Sequence, residues 1–205
     1  MAKSKRGRKQ SSYTPSAKGK KAGGDFSWKY LFLGLCGIGL VAAGYGIYSS
    51  QNRAQAFEVL AKQGAAALTR VDTRPSEGRT HLTAWQSIQY GTNPPTSGPH
   101  YTVWVDPGFY DTAQSRVNLV HSLEHGMVVV YYDAPGDDVM SRLREWADLF
   151  TGPWSGIVVT RRAGLGEKII LTSWRRTLRL DRFDELASAA FIDAYRGRGP
   201  ENPVR

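Results

Sequence analysis

The chain has 205 residues and a formal net charge of +9, which is unevenly distributed. Residues 1–30 contain nine of the 27 lysines and arginines and one of the 18 acidic residues, so the rest of the chain is nearly neutral. No basic face for nucleic-acid binding is therefore implied outside this tail. The single cysteine, Cys36, lies in an apolar run, which excludes a disulfide, a thiol activity and a cysteine-ligated zinc module for residues 50–205.

The N-terminal tail, residues 1–29, is rich in lysine, arginine, serine and glycine and has no periodic apolar pattern. Such a segment buries too little apolar surface to offset its chain entropy, so we predict that it is disordered. A nucleic-acid-binding arm is one interpretation of its charge. Its position directly before a hydrophobic stretch favours the other interpretation, an attraction to the anionic cytoplasmic face of a membrane.

An uncharged stretch follows at residues 30–48, which read YLFLGLCGIGLVAAGYGIY. At about 1.5 Å per residue it nearly crosses a hydrocarbon core of about 30 Å, and aromatic residues flank both ends. A cleaved signal peptide is the rival interpretation, but its apolar region is usually about 7–15 residues long. A lipoprotein site at Cys36 is disfavoured, because Leu35 stands where a small residue is needed. We predict one transmembrane helix at 30–49, with the tail in the cytoplasm and residues 50–205 extracytoplasmic.

Residues 50–75 are predicted to form a juxtamembrane helix or stalk, because apolar residues recur at spacings of three and four. The extracytoplasmic domain proper comprises residues 76–205, and its first predicted strand lies at 81–90. Residues 91–99, GTNPPTSGP, are predicted to form a stiff extended loop, because proline removes backbone donors and restricts the residue before it.

The second half of the chain alternates strands and helices. Residues 127–132, MVVVYY, form the clearest strand, because a β-branched and aromatic run is typical of a strand buried on both faces. Amphipathic helices are predicted at 137–150 and 181–195, and a hairpin at 157–160 and 168–172. The order β-α-β-β-α predicts an α+β fold, a single sheet with helices packed on it, after the transmembrane helix. A thioredoxin-like arrangement is an alternative, although no CxxC motif supports its redox chemistry.

The extracytoplasmic part contains all four histidines of the chain, His81, His100, His121 and His125. The last two bracket Glu124 in the string HSLEHG. On a helix, residues four apart place their Cβ atoms about 6 Å apart on one face, so both imidazoles can reach one metal ion at about 2.0–2.1 Å. On a strand the same residues would be about 13 Å apart, so joint ligation requires a helix or turn at 121–125, which Gly126 is placed to end.

We therefore predict a site for copper or zinc, the ions that suit imidazole. Its predicted ligands are His100, His121 and His125, with His81 as a fourth. Glu124 is predicted to accept an imidazole N–H from outside the ligand sphere, with ligation or base catalysis as alternatives. Met127 is a soft donor of the kind that binds copper, but as the residue entering a buried strand it is predicted to belong to the core. The alternative for each histidine is a structural role, as a hydrogen-bonded residue of the core or of a loop.

The string H-x-x-E-H occurs in zinc hydrolases, where the glutamate acts as general base. Such sites need a third protein ligand, often a downstream carboxylate, and nothing in the sequence selects among Glu145, Glu167 and Glu185. Three functions stay open: a metal-binding protein, a metal-dependent hydrolase and a non-catalytic envelope module. The sequence favours the first and assigns no substrate, protein partner or enzymatic activity.

Three strings resemble DUF3105, a bacterial membrane-anchored family of unknown function: NPPTSGPHY, VHSLEHGMVVVYY and LTSWRRTLRLD…FIDAYRGRGPE. The resemblance covers residues 81–201. The family's histidine positions and its glutamate match His81, His100, His121, His125 and Glu124, which implies that these residues belong to one site. The string at Ser173–Arg175 departs from the family, which commonly has an AWG-like string there. The family name implies no activity.

Overall fold

The structure is a computed structural model that describes residues 28–83 and 86–205. The basic tail at 1–27 lies outside the described residues, and so does the disorder predicted for it. The described residues divide into two units, an N-terminal unit that ends at Gly44 and a C-terminal unit, Tyr45–Arg205.

Helix α1, Trp28–Gln63, begins in the N-terminal unit, where the apolar side chains from Phe32 onward are exposed. In the part of the chain that the structure describes, Phe32–Gln63 is the one helix long and apolar enough to cross a membrane. A membrane anchor fits this segment by length and composition, and a signal sequence near the N-terminus fits the same description. The helix predicted at 30–49 is therefore confirmed as a helix, and its passage through a membrane stays a prediction.

The end of α1 contributes to the core of the C-terminal unit. The helical spacing predicted there is confirmed, because Phe57 and Ala61 are only 2% and 5% exposed. The Phe57 ring contacts Trp146 and Phe150 edge-on, with ring centroids 5.3 and 4.7 Å apart. A short 3-10 helix, Ala65–Arg70, continues the chain towards the sheet.

The C-terminal unit contains eight described strands. They are β1 (Asp72–Thr73), β2 (His81–Leu82), β3 (His100–Tyr101), β4 (Gly108–Tyr110), β5 (Val128–Tyr132), β6 (Ile157–Arg161), β7 (Ile169–Ser173) and β8 (Arg176–Leu180). Six of them form one mixed sheet in the order β1-β8-β7-β5-β6-β4, whereas β2 and β3 form a separate parallel pair. Together with the helices this confirms the mixed α+β class.

The central strand β5 shows how the sheet is buried. All five of its residues are buried, as its apolar run predicts. Val128 and Val130 belong to one hydrophobic cluster, which also contains residues of α1 and of the helices at 137–149 and 185–195. Val129 and Tyr131 belong to a second cluster on the other face of the sheet. The sheet is thus covered on both faces, and the strand predicted at 127–132 is confirmed.

Three further helices pack on the sheet, and two were predicted at these places. Helix α3, Asp137–Leu149, confirms the first, and its buried residues include Leu143 and Trp146. Helix α4, Glu185–Tyr195, confirms the second but begins four residues later than predicted. Its start is set by Asp184, whose Oδ1 accepts the N–H of Ala187 at 3.0 Å. Helix α2, Arg116–His125, covers the second face of the sheet and carries the histidine string.

The hairpin predicted at 157–160 and 168–172 is wrong. Both strands exist as β6 and β7, but they lie on opposite sides of β5, one parallel and one antiparallel to it. The connecting segment crosses the end of β5, where the Arg162 N–H donates to the Tyr132 carbonyl. A seven-residue connection can span two strand spacings of about 4.8 Å, and β5 has two edges to pair, so the sheet is completed this way. The true hairpin joins β7 to β8 through Arg175, at φ 66°.

The strand predicted at 81–90 is also wrong over most of its length. Only His81–Leu82 forms a strand, and residues 86–90 have no regular structure, while 84–85 lie outside the described residues. In this region side-chain hydrogen bonds to the backbone take the place of strand pairing. For example, the Tyr90 hydroxyl donates to the Pro99 carbonyl at 2.6 Å. The irregular loop predicted at 91–99 is confirmed.

Candidate metal centre

Helix α2 carries three of the candidate residues on its last turns. His121, Glu124 and His125 stand at i, i+3 and i+4, so they share one side of the helix. The helix ends at Gly126, whose φ of 100° is the left-handed conformation that glycine adopts readily. The structure thus forms the helical turn that the histidine spacing requires for joint ligation.

The parallel pair β2–β3 supplies the other two histidines. His81 stands opposite His100 in the register of the two strands. The His100 N–H donates to the Thr80 carbonyl at 3.0 Å, and the proline-containing loop before it holds the residue completely buried. Two short strands therefore place two imidazoles side by side, facing α2, with their ring centroids 4.9 Å apart.

The first cluster that could hold a metal ion consists of His81, His100, His121 and Glu124, and we name it the four-ligand group. Each residue offers one ligand atom, and these atoms lie within 4.8 Å of one another. The three imidazole centroids form a nearly equilateral triangle with sides of 4.9, 4.8 and 4.9 Å. Three imidazole nitrogens and one carboxylate oxygen are a donor set that zinc and copper accept.

Backbone carbonyls determine the tautomers of two of these imidazoles. His100 Nδ1 lies 2.8 Å from the Gly98 carbonyl oxygen, and His121 Nδ1 lies 2.8 Å from the Tyr101 carbonyl oxygen. A carbonyl oxygen only accepts, so each Nδ1 carries the hydrogen and donates it. Each Nε2 therefore presents a lone pair towards the four-ligand group, which is how metal-binding histidines are usually oriented.

The buried carboxylate of Glu124 faces these lone pairs. Its Oε2 lies 2.9 Å from His100 Nε2 and 3.6 Å from His81 Nε2. Within the described part of the chain, neither His100 Nε2 nor Glu124 Oε2 has a hydrogen bond of acceptable geometry. Two acceptors at this distance repel each other in a dry environment unless a cation or a proton lies between them. The arrangement fits a bound metal ion on this ground.

A second cluster, the three-ligand group, consists of His121, His125 and Glu201. Glu201 Oε2 lies 3.1 Å from His125 Nε2 and 3.9 Å from His121 Nε2. Its side chain is 39% exposed, whereas that of Glu124 is 4% exposed. The two clusters share His121, and each has its own carboxylate.

The C-terminal segment, residues 196–205 after α4, brings Glu201 to the end of α2. The Gly197 N–H donates to the Gly126 carbonyl at 2.7 Å, and the Glu201 N–H donates to the Glu124 carbonyl at 3.4 Å. At Gly199 a Cβ atom would lie 2.1 Å from the Glu124 carbonyl oxygen. Only glycine permits so close a contact between the segment and the helix.

Burial lowers the pKa of both α2 histidines, which favours their neutral forms. Desolvation lowers the pKa of His121 to about 4, although the hydrogen bond to the Tyr101 carbonyl opposes the shift. Desolvation also lowers the pKa of His125, against the opposing charge of Glu201. Two indole rings help to exclude water, since Trp104 and Trp154 lie 4.6 and 4.1 Å from the His125 ring between centroids. Neutral imidazoles are the form that binds metal.

All five residues that the sequence marked for the site lie in these two groups. Glu201, in the GRGPE string, was not predicted. It lies far along the chain from the HSLEHG string, so the sequence does not indicate that it is close to His125 in the fold. The acidic candidates Glu145 and Glu185 instead pair with Arg142. Met127 is fully buried in the second hydrophobic cluster, as predicted.

Comparison with known proteins gives one result. The family model of DUF3105, described as a protein of unknown function, matches residues 81–205, which include both histidine groups and the C-terminal segment. No curated protein matches, and no solved structure matches. The thioredoxin-like alternative therefore stays a prediction. Because the family model covers more than half of the chain, the chain belongs to the DUF3105 family.

Proposed function

We propose that this domain binds one transition metal ion, copper or zinc, through the four-ligand group. The observation that carries the proposal is the convergence of three imidazoles and a buried carboxylate, with the lone pairs of His100 and His121 directed inward by backbone carbonyls. Such oriented imidazoles bind with less reorganisation than free side chains, which favours affinity.

The donor chemistry narrows the choice of ion. No sulfur belongs to either group, because Met127 is packed in the core and Cys36 lies on α1 in the N-terminal unit. Nitrogen and oxygen donors suit zinc and divalent copper, whereas monovalent copper prefers sulfur. A resident zinc or divalent copper ion is therefore the form of the proposal that the donors favour.

The non-catalytic alternative, in which these residues act as a structural brace that only stabilises the fold through hydrogen bonds, explains the four-ligand group less well. A brace would satisfy each buried polar atom with a hydrogen bond, yet His100 Nε2 and Glu124 Oε2 lack one among the described residues. Buried polar groups without partners are costly, and proteins usually pair them. The metal ion would supply the positive charge that both atoms face.

The second candidate is a metal-dependent hydrolase with Glu124 as general base. The H-x-x-E-H string favours it, and the solvent-facing His81, with a side chain 43% exposed, would leave room for a water molecule. Against it, Glu124 Oε2 lies as close to His100 Nε2 as a co-ligand would, at 2.9 Å. We propose Glu124 as a ligand, because His100 Nδ1 holds the ring hydrogen and Nε2 has none to donate to the carboxylate. The outer position that the sequence predicts for Glu124 stays a prediction.

Metal analysis of the full-length chain tests the proposal. The chain is purified in mild detergent without a polyhistidine tag, and bound zinc and copper are counted by mass spectrometry before and after loading. We expect one ion per chain, which is lost in His100→Ala and in Glu124→Gln. Glu167→Gln removes the same charge at an exposed position and should keep the ion.

The outcomes separate the three functions. No ion in the unmodified chain would contradict the proposal and favour the structural brace. Retention of the ion by Glu124→Gln would make Glu124 a base or an outer partner, and loss of a hydrolytic activity in that variant would establish the enzyme.

We also propose that α1 anchors the protein in the cell membrane, with the basic tail in the cytoplasm and the metal-binding domain outside. The proposal is supported by the helical segment Phe32–Gln63, which is long and apolar enough to cross a membrane, and by the nine basic residues that precede it. Protease added to cells without an outer barrier should digest the domain and spare an epitope placed on the tail. Digestion of the tail epitope alone would reverse the orientation, and protection of both would place the domain inside.

A further inference from the structure

The two metal-binding groups meet at a single atom. His121 belongs to the four-ligand group and to the three-ligand group. Its Nδ1 donates to the Tyr101 carbonyl, so Nε2 carries the one lone pair that His121 can offer. A neutral imidazole donates that lone pair to one ion at a time. Simultaneous occupancy of both groups would leave one of them without His121.

The groups also differ in how completely they surround an ion. The four-ligand group supplies three imidazoles and a buried carboxylate, enough for tetrahedral coordination. The three-ligand group supplies His125 and Glu201 beside His121, and Glu201 is 39% exposed. Three protein ligands leave one coordination position open to water or to an incoming ligand.

We propose that a single ion moves between two positions, with the four-ligand group as its resting site and the three-ligand group as the position of loading and release. This inference rests on the proposed function. The ion stays on His121 while it exchanges His81, His100 and Glu124 for His125, Glu201 and one solvent or incoming ligand. No oxidation change is involved, and every bond that breaks at the ion is replaced by another.

The C-terminal segment holds the release position against α2. Hydrogen bonds from Gly197 and Glu201 to the helix end place the Glu201 carboxylate beside His125, and Gly199 permits the contact. The indoles of Trp104 and Trp154 border His125, and Trp104 is 40% exposed. An acceptor molecule with a free imidazole, carboxylate or thiolate can therefore approach the ion from the side of Glu201.

The rate of metal release tests the inference, because the inference and its alternative predict opposite changes in that rate for the same variants. The full-length chain is loaded with zinc, and transfer to an excess of a chromophoric chelator is followed in a stopped-flow instrument. If the three-ligand group is the exit, Glu201→Gln and His125→Ala should release zinc about tenfold more slowly. If Glu201 and His125 merely help to hold a resting ion, the same variants should release it faster.

Each outcome decides a point. Slower release in Glu201→Gln, with Glu167→Gln releasing like the unmodified chain, would support the inference. Unchanged or faster release in Glu201→Gln, or two zinc ions per unmodified chain, would overturn it while leaving metal binding intact. No zinc in the unmodified chain would overturn the proposed function as well. Because Glu201 is exposed, its variant should fold, and thermal melting checks this for both variants.

Discussion

Helices α2 and α4 are both buried over nearly two turns, but they bury different chemistry. In α4 the buried run from Ala187 to Ile192 is apolar except for Ser188, so packing alone accounts for it. In α2 the buried run from Leu119 to His125 contains two imidazoles, a hydroxyl and a carboxylate. Burying polar groups costs free energy unless each has a hydrogen-bonding or ionic partner. The polar residues of α2 therefore need such partners, whereas the apolar residues of α4 are stabilised by hydrophobic packing.

Ser122 shows what a satisfied polar residue of α2 looks like. Its hydroxyl accepts the Val105 N–H at 2.9 Å and donates to the Val105 carbonyl at 2.8 Å, which fixes the chain before β4 against the helix. Glu124, two residues later, instead directs Oε2 at the Nε2 atoms of His100 and His81, at 2.9 and 3.6 Å, without a hydrogen bond of acceptable geometry among the described residues. The two polar residues of one helix thus differ in how their buried atoms are paired, and this difference is the reason for proposing a bound cation beside Glu124.

The largest expected effect concerns α4. Phe191 is fully buried, and Phe191→Ala should lower the free energy of unfolding by about 3–5 kcal/mol, because it leaves a cavity in the core. Denaturant unfolding should give the same loss with zinc and with a chelator present. Leu186→Ala, on the 37% exposed side of the helix, is the matched control. A loss that depended on zinc would break the distinction between the two helices.

The next effect concerns α2. In the unmodified chain, zinc at about 100 times its dissociation constant should raise the free energy of unfolding by about 2.7 kcal/mol. His121→Ala should abolish this gain, because both candidate groups lose the residue that they share. Thermal melting with zinc and with a chelator measures the difference. A gain that survived in His121→Ala would mean that the ion binds elsewhere.

Gly199→Ala tests how much the end of α2 depends on its contact with the C-terminal segment. A Cβ atom there would lie 2.1 Å from the Glu124 carbonyl oxygen, so the C-terminal segment must move away from the helix. We expect a stability loss of about 1–3 kcal/mol, as for other overpacked positions. Zinc release should also slow, as in Glu201→Gln. Denaturant unfolding and chelator transfer measure the two effects, and a normal release rate would separate Glu201 from the position of this segment.

The smallest effect concerns the helix starts. Asp184→Ala should cost about 1 kcal/mol, because its carboxylate accepts the Ala187 N–H at the start of α4. Ser115→Ala should cost much less, because the Ser115 hydroxyl makes no capping bond to α2 and donates to Asn118 Oδ1 instead. Denaturant unfolding of both variants checks this order. Equal losses would show that α2 also depends on Ser115, the residue that precedes its first turn.

The sequence by itself determined the features that depend on neighbours along the chain. The apolar run of β5 and the amphipathic period of α3 each specify local geometry, whereas the spacing of His121 and His125 set only a condition, a helix or turn, for joint ligation. The left-handed end at Gly126 follows in the same way, because glycine adopts positive φ at little cost. These features were predictable because each depends on steric preference and burial within a few residues.

Only the tertiary structure decided which distant residues meet. The β2–β3 register brings His81 to His100, and the return of the C-terminal segment brings Glu201 to His125. Strand β5 takes β6 and β7 on its two edges instead of leaving them as a hairpin. Such pairings depend on which edges and surfaces remain to be covered once the sheet has formed, and no local pattern in the sequence carries that information.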